Sequence, residues 1–131
     1  MIILLKKYLL SIFVILTILV LCFMDTEPLP AAPMNDFDKL IHVIMFLGLS
    51  GVIYFDNTGY LKFPISKTRI FLSVFLLPVI MGGLIEIIQE YFTKTRSGDW
   101  FDFLFDVVGS LLGWGIALLI NNWLPLKKIY R

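Results

Sequence analysis

An all-α membrane protein, a four-transmembrane-helix bundle with both termini cytoplasmic, is the fold class predicted by three observations. Hydrophobic residues fill 59% of the 131 positions and charged residues only 16%, with a mean hydropathy of +0.89. Soluble domains average about 45–50% apolar and about 25% charged residues. Four apolar segments reach or approach the roughly 20 residues that a bilayer-crossing helix needs. The 11 lysines and arginines gather mostly at one set of segment ends.

The spans are expected at about residues 3–24, 37–55, 70–92 and 100–120 of a single domain covering 1–131. In the first, Lys6 and Lys7 can snorkel to the interface and leave Tyr8 to Met24 as the apolar body. A basic start followed by Ala31-Ala32 suggests a signal peptide, but the apolar body is long and Pro28, Pro30 and Pro33 crowd the cleavage region. An uncleaved anchor is therefore expected. Asn35 or Asp36 can cap the second helix, and Asp56-Asn57-Thr58-Gly59 stops it. Pro64 and Ser66-Lys67-Thr68 open the third, which Pro78 should kink. Ser97 is a candidate cap for the fourth, and Trp123 a candidate interfacial anchor.

Lys6, Lys7, Lys62, Lys67, Arg69, Lys127, Lys128 and Arg131 fall on one side of these spans; Lys39, Lys94 and Arg96 fall on the other. Basic residues favour the cytoplasm, which places both termini there. Among the acids only Asp56 shares the basic side. The expected location is a cytoplasmic membrane, crossed several times. The single cysteine, Cys22, permits no intrachain disulfide, and no basic run suggests nucleic acid.

Three helices carry polar stripes. Asp38 and His42 are four residues apart; Glu86 shares a face with Gln89 and Glu90; Asp99, Asp102 and Asp106 follow helical spacing and continue through Gly109 and Gly113. At about 1.5 Å per residue, His42 lies about 9 Å below Asp36, Glu86 about 10 Å below Thr93 and Asp106 about 13 Å below Ser97. Groups entering from different loops thus reach a similar depth, which points to one shared polar site. Ionisable groups inside a span are costly and usually paired.

Each piece also has a structural explanation. Asp38, Asp99 and Asp102 lie in first helical turns, where negative charge complements the helix dipole. That reading fails for Glu86 and Glu90, which approach a helix C-terminus, and for Asp106, which is too deep. A lone His42 is commonly structural, but Asp38 beside it favours a site. Arg96 could pair a carboxylate, pin its loop, or bind a phosphate. Gly109 and Gly113 form a close-packing seam whose facing surface is expected at Gly82 and Gly83 on the third helix. No metal and no cofactor are expected: the acids could hold a hard cation, but Lys94 and Arg96 offset part of their charge.

Taken in order, Asp38-Lys39 with His42 and Phe46, Glu86-Ile-Ile-Gln89, Arg96, Asp102, Gly109 and Gly113 resemble the VanZ-like family of small bacterial membrane proteins. The resemblance covers residues 36–120 and leaves the first helix outside. Where the family usually has Asn, this chain has Asp106, which adds a carboxylate or requires a proton. The resemblance implies four spans, no established catalytic activity, and an association with antibiotic resistance, specifically low-level resistance to the glycopeptide teicoplanin.

Three functions remain open. In the first, the protein binds a membrane lipid or lipid-linked cell-envelope molecule in the outer leaflet: Glu86 orients Arg96, Gln89 contacts the headgroup, and Asp102 and Asp106 stabilise the helix pair. The second is an intramembrane enzyme acting on a lipid-linked phosphate, with His42 or Glu86 as acid or base and Arg96 stabilising charge. The third is a proton-coupled carrier, which four helices would support only as a homo-oligomer.

Overall fold

The computed structural model describes residues 1–24, 35–94 and 97–124. Helices α1 (Ile2–Lys7), α2 (Leu9–Phe23), α3 (Asn35–Asn57), α4 (Lys67–Ile70), α5 (Leu77–Phe92) and α6 (Trp100–Trp123) carry most of them, and a π-helical segment, Phe71–Leu76, joins α4 to α5. The described residues contain no strand.

Three helices are long and apolar enough to cross a membrane: Phe37–Asn57, Lys67–Phe92 and Trp100–Trp123, with 21, 26 and 24 residues. The first predicted span differs. It is divided at Tyr8, whose φ of −108° and ψ of 20° leave the helical region, so α2 has 15 residues. Such a helix is about 22 Å long, against a hydrocarbon core of about 30 Å. Tyr8 is held by its phenol, which donates to Asn57 Oδ1 at 3.0 Å.

The most extensive helix pair is α3 with α6, and glycine makes it possible. A Cβ on Gly109 would lie 2.4 Å from the Val43 carbonyl oxygen, and one on Gly113 2.4 Å from Ser50 Cβ. The seam therefore faces α3, not the expected surface at Gly82 and Gly83. Those glycines face α6 elsewhere: a Cβ on Gly82 would meet Asp106 Oδ2 at 2.8 Å, and one on Gly83 the Phe103 ring at 3.3 Å. Phe46, Leu49 and Ile53 of α3 pack with Ile70, Val74, Ile85, Ala117 and, from α2, Ile18 and Cys22. Leu16, Val20, Ile44, Leu77, Leu84, Leu111 and Leu119 point outward. So much exposed apolar surface suits lipid rather than water.

Pro78 was expected to kink the third span; the structure places the π-helical segment just upstream of it. Proline has no N–H to donate to the carbonyl four residues back, Val74. Ser50 Oγ donates to that oxygen at 2.7 Å, so the irregularity is satisfied by a neighbouring helix. Ser66 caps α4 by accepting from Arg69 N. The cap of α6 is Asp99, whose side chain accepts from Phe101 N, and not Ser97. Residues after α3 turn sharply through Gly59, Tyr60 and Leu61, all with φ near +60°. Leu61 N donates to Thr58 Oγ1 there, a local bond that helps hold this unfavourable conformation.

Candidate functional site

His42 lies two turns into α3, Glu86 near the end of α5 and Asp106 two turns into α6. All three are buried: His42 is 8% exposed, Glu86 3% and Asp106 1%. His42 Nδ1 is 2.8 Å from Asp106 Oδ1, and Nε2 is 3.7 Å from Asp102 Oδ2. The first is hydrogen-bond distance; the second is an ion-pair distance only. One ligand atom each from His42, Glu86 and Asp106 falls within a mutual distance of 4.8 Å, and the same holds for Asp38, His42 and Asp102. His42 therefore joins a buried trio to a shallower one. The depths computed from three separate loops do converge on one place.

Helix ends account for part of the acidity. Glu86 Oε2 accepts from Asp99 N at 2.7 Å, and Glu90 Oε2 from Gly98 N at 3.0 Å. These two carboxylates sit unfavourably for their own helix but satisfy N–H groups at the start of the next one. The local dipole rule had excluded capping for them; tertiary capping supplies it. A Cβ on Gly98 would lie 2.5 Å from the Glu86 carbonyl oxygen, so glycine is needed for the loop to approach. Half of the Glu86 carboxylate is left over: among the described residues Oε1 has no hydrogen-bond partner and is buried, as is Asp106 Oδ2.

The other expected site residues divide. Asp38 is exposed and Asp102 half-buried, both beside His42. Gln89 is buried and its amide donates to the Cys22 carbonyl at 2.8 Å, tying α5 to α2. That replaces the headgroup contact expected of it. Arg96, and with it the expected Glu86–Arg96 pair, lies outside the described residues. Lys39 Nζ stands 5.8 Å and 5.9 Å from the Phe101 and Phe105 ring centroids, a cation–π arrangement between α3 and α6.

Glu86 also lines a cleft of about 220 Å³ with Ile87, Glu90, Tyr91, Gly98 and Trp100. Of these, Tyr91 and Trp100 are exposed. Aromatic side chains with a polar edge favour the membrane–water boundary.

A second polar cluster, at the other end of α3, escaped the sequence reading. Asp56 is fully buried, and its Oδ2 accepts from Ser11 N at 3.0 Å and from Ser11 Oγ at 2.7 Å. Ser11 is in the first turn of α2, so Asp56 caps that helix from afar. Asn57 Nδ2 donates to Ser73 Oγ, and Arg69 Nη2 to Tyr8 Oη. Asn121 bridges both backbone groups of Ile65. Depth arithmetic from the basic side would have placed Ser11 and Asp56 at one level.

No solved structure matches the chain. The chain is similar, at 33% identity over 117 residues, to the uncharacterized protein C11E3.10 of the fission yeast Schizosaccharomyces pombe. That match covers 88% of this chain but 64% of the yeast protein, so the chain spans about two thirds of its relative's length. The similarity to a yeast protein gives the expected bacterial setting no support. The VanZ/LLP1 family model matches residues 5–121, which takes in α2 as well as the polar helices. The sequence match and the apolar helices agree: the chain is a membrane protein of the VanZ/LLP1 family.

Proposed function

We propose that the protein binds the headgroup of a membrane lipid or lipid-linked amphiphile at the His42 end of the bundle. The reading includes four spans, α2 crossing with local membrane thinning, and cytoplasmic termini. The cleft beside Glu86 carries it. It combines two acceptors, Glu86 and Glu90, with a rim of exposed aromatic side chains. An acidic notch at membrane-interface depth suits a headgroup bearing amine or hydroxyl donors. Arg96, two residues before Gly98 in sequence, would add a group for a neighbouring phosphate. With the basic ends cytoplasmic, the cleft faces the outer leaflet. In a host with a peptidoglycan wall, such binding would alter access to lipid-linked precursors and hence glycopeptide susceptibility.

Native mass spectrometry of the detergent-purified protein tests this directly. A lipid adduct is expected on the parent and lost or reduced in Glu90→Gln and Arg96→Ala. A folded parent without any adduct would refute the proposal. So would adducts of equal abundance in both variants.

The 2.8 Å His42–Asp106 pair supports a second reading, an enzyme in which the carboxylate orients a histidine base. Turnover of a headgroup by the pure protein, abolished in His42→Gln, would favour it over binding alone.

A further inference from the structure

We propose that His42, Glu86 and Asp106 bind one divalent transition-metal ion, of the manganese or zinc class, within the membrane-spanning bundle. The inference shares Glu86 with the headgroup reading, leaving Glu90 as the acceptor of the cleft, and runs against the sequence expectation of no metal.

Geometry comes first. The three side chains come from α3, α5 and α6, and their ligand atoms lie within 4.8 Å of one another. Metal–oxygen and metal–nitrogen bonds of about 2.0–2.2 Å set neighbouring ligand atoms about 3.0–3.5 Å apart. The 2.8 Å between His42 Nδ1 and Asp106 Oδ1 is close to such an edge. The others require a contraction of an ångström or so.

The second observation is independent of the clustering. Among the described residues, Glu86 Oε1 and Asp106 Oδ2, the second oxygen of the carboxylate whose Oδ1 faces His42, are buried without a hydrogen-bond partner. Both residues are at least nine-tenths buried. Buried acceptors are rarely left so, and an ion is one of the groups that satisfies them. Charge agrees: two carboxylates and a neutral imidazole sum to −2, which one dication cancels in a region where net charge is costly.

The donor set narrows the ion. Calcium takes six to eight oxygens and magnesium retains several waters. An imidazole among carboxylates suits first-row transition ions. Metal-ligating histidines usually present their other ring nitrogen to a carboxylate. Asp102 stands on that side of His42, at 3.7 Å from Nε2. Asp102 is therefore a positioning residue, and the shallower group with Asp38 is not the ion site.

The test uses the full chain in detergent, stripped with a chelator, desalted, and titrated with Mn²⁺ or Zn²⁺. Metal per chain is read by elemental analysis, and Mn²⁺ also by electron paramagnetic resonance. One ion per chain is expected, with imidazole nitrogen coupling to bound Mn²⁺ that disappears in His42→Gln. Glu86→Gln and Asp106→Asn should each weaken binding by more than the 10–100-fold typical of an outer-shell change. Their metal-free melting transitions show whether they fold, and either folded variant suffices. No retained metal in folded parent protein overturns the proposal. So does affinity unchanged in a folded Glu86 or Asp106 variant, or loss confined to Asp38→Asn. Binding of Mg²⁺ or Ca²⁺ without Mn²⁺ or Zn²⁺ would overturn it too.

Discussion

The two ends of α3 carry buried acids with opposite habits. At one end Asp56 engages two donors of Ser11, and amide and hydroxyl groups around it bond to one another. At the other, Asp38, Asp102, Asp106 and Glu86 crowd around a single imidazole, and two oxygens stay without partners. Asp56 also has one oxygen without a partner, but no second acid is among its hydrogen-bond partners. The lesson is that an orphaned oxygen alone does not mark a site. Two such oxygens beside one histidine and an open cleft are what the proposed site rests on. The hydrogen bonds of Asp56 make its end a joint between α2 and α3; at the His42 end, among the described residues, the acids outnumber the donors His42 and Asp99 N, which is why a site is proposed there.

Substitutions at each end put this contrast to the test. Gly109→Leu should have the largest effect, because its Cβ would fall on the Val43 carbonyl and force apart the seam shared by both ends. Overpacking costs about 1–3 kcal/mol, and a clash with backbone belongs at or above the top of that range. Size-exclusion chromatography in detergent should recover little monodisperse protein. Asp56→Ala comes next: it orphans the Ser11 N–H and hydroxyl, costing about 2–3 kcal/mol. Unfolding in mixed SDS micelles should show it, with α2 released first. Gln89→Leu removes the bond to the Cys22 carbonyl and should cost about 1 kcal/mol. Smallest is Ser50→Ala, about 0.6 kcal/mol by the same unfolding titration, since it frees only the Val74 carbonyl.

Much of this was legible in the chain. Of the four spans expected from hydropathy and length, three are helices long and apolar enough to cross a membrane, and the common level of His42, Glu86 and Asp106 followed from helical rise alone. Counting residues from a loop works because the membrane puts all helix ends near one plane. Partners were less legible. The repeat of Gly109 and Gly113 announces close packing but not which helix arrives, and it is α3. Glu86 and Glu90 were judged against their own helix, whereas their donors belong to the loop before α6. At the interruption, Tyr8 bonds Asn57, 49 residues away, a partner no local pattern reveals.

Thermal unfolding of chelator-stripped Glu86→Gln beside Asp56→Asn tests the contrast most directly. A glutamine can keep the bond from Asp99 N while relieving repulsion from Asp106 and Asp102. An asparagine at 56 loses charge-assisted bonds with no crowding to relieve. Glu86→Gln should melt at or above the parent and Asp56→Asn below it. A Glu86→Gln midpoint lowered as far as that of Asp56→Asn would contradict this, and would make the His42 end a structural joint like the other.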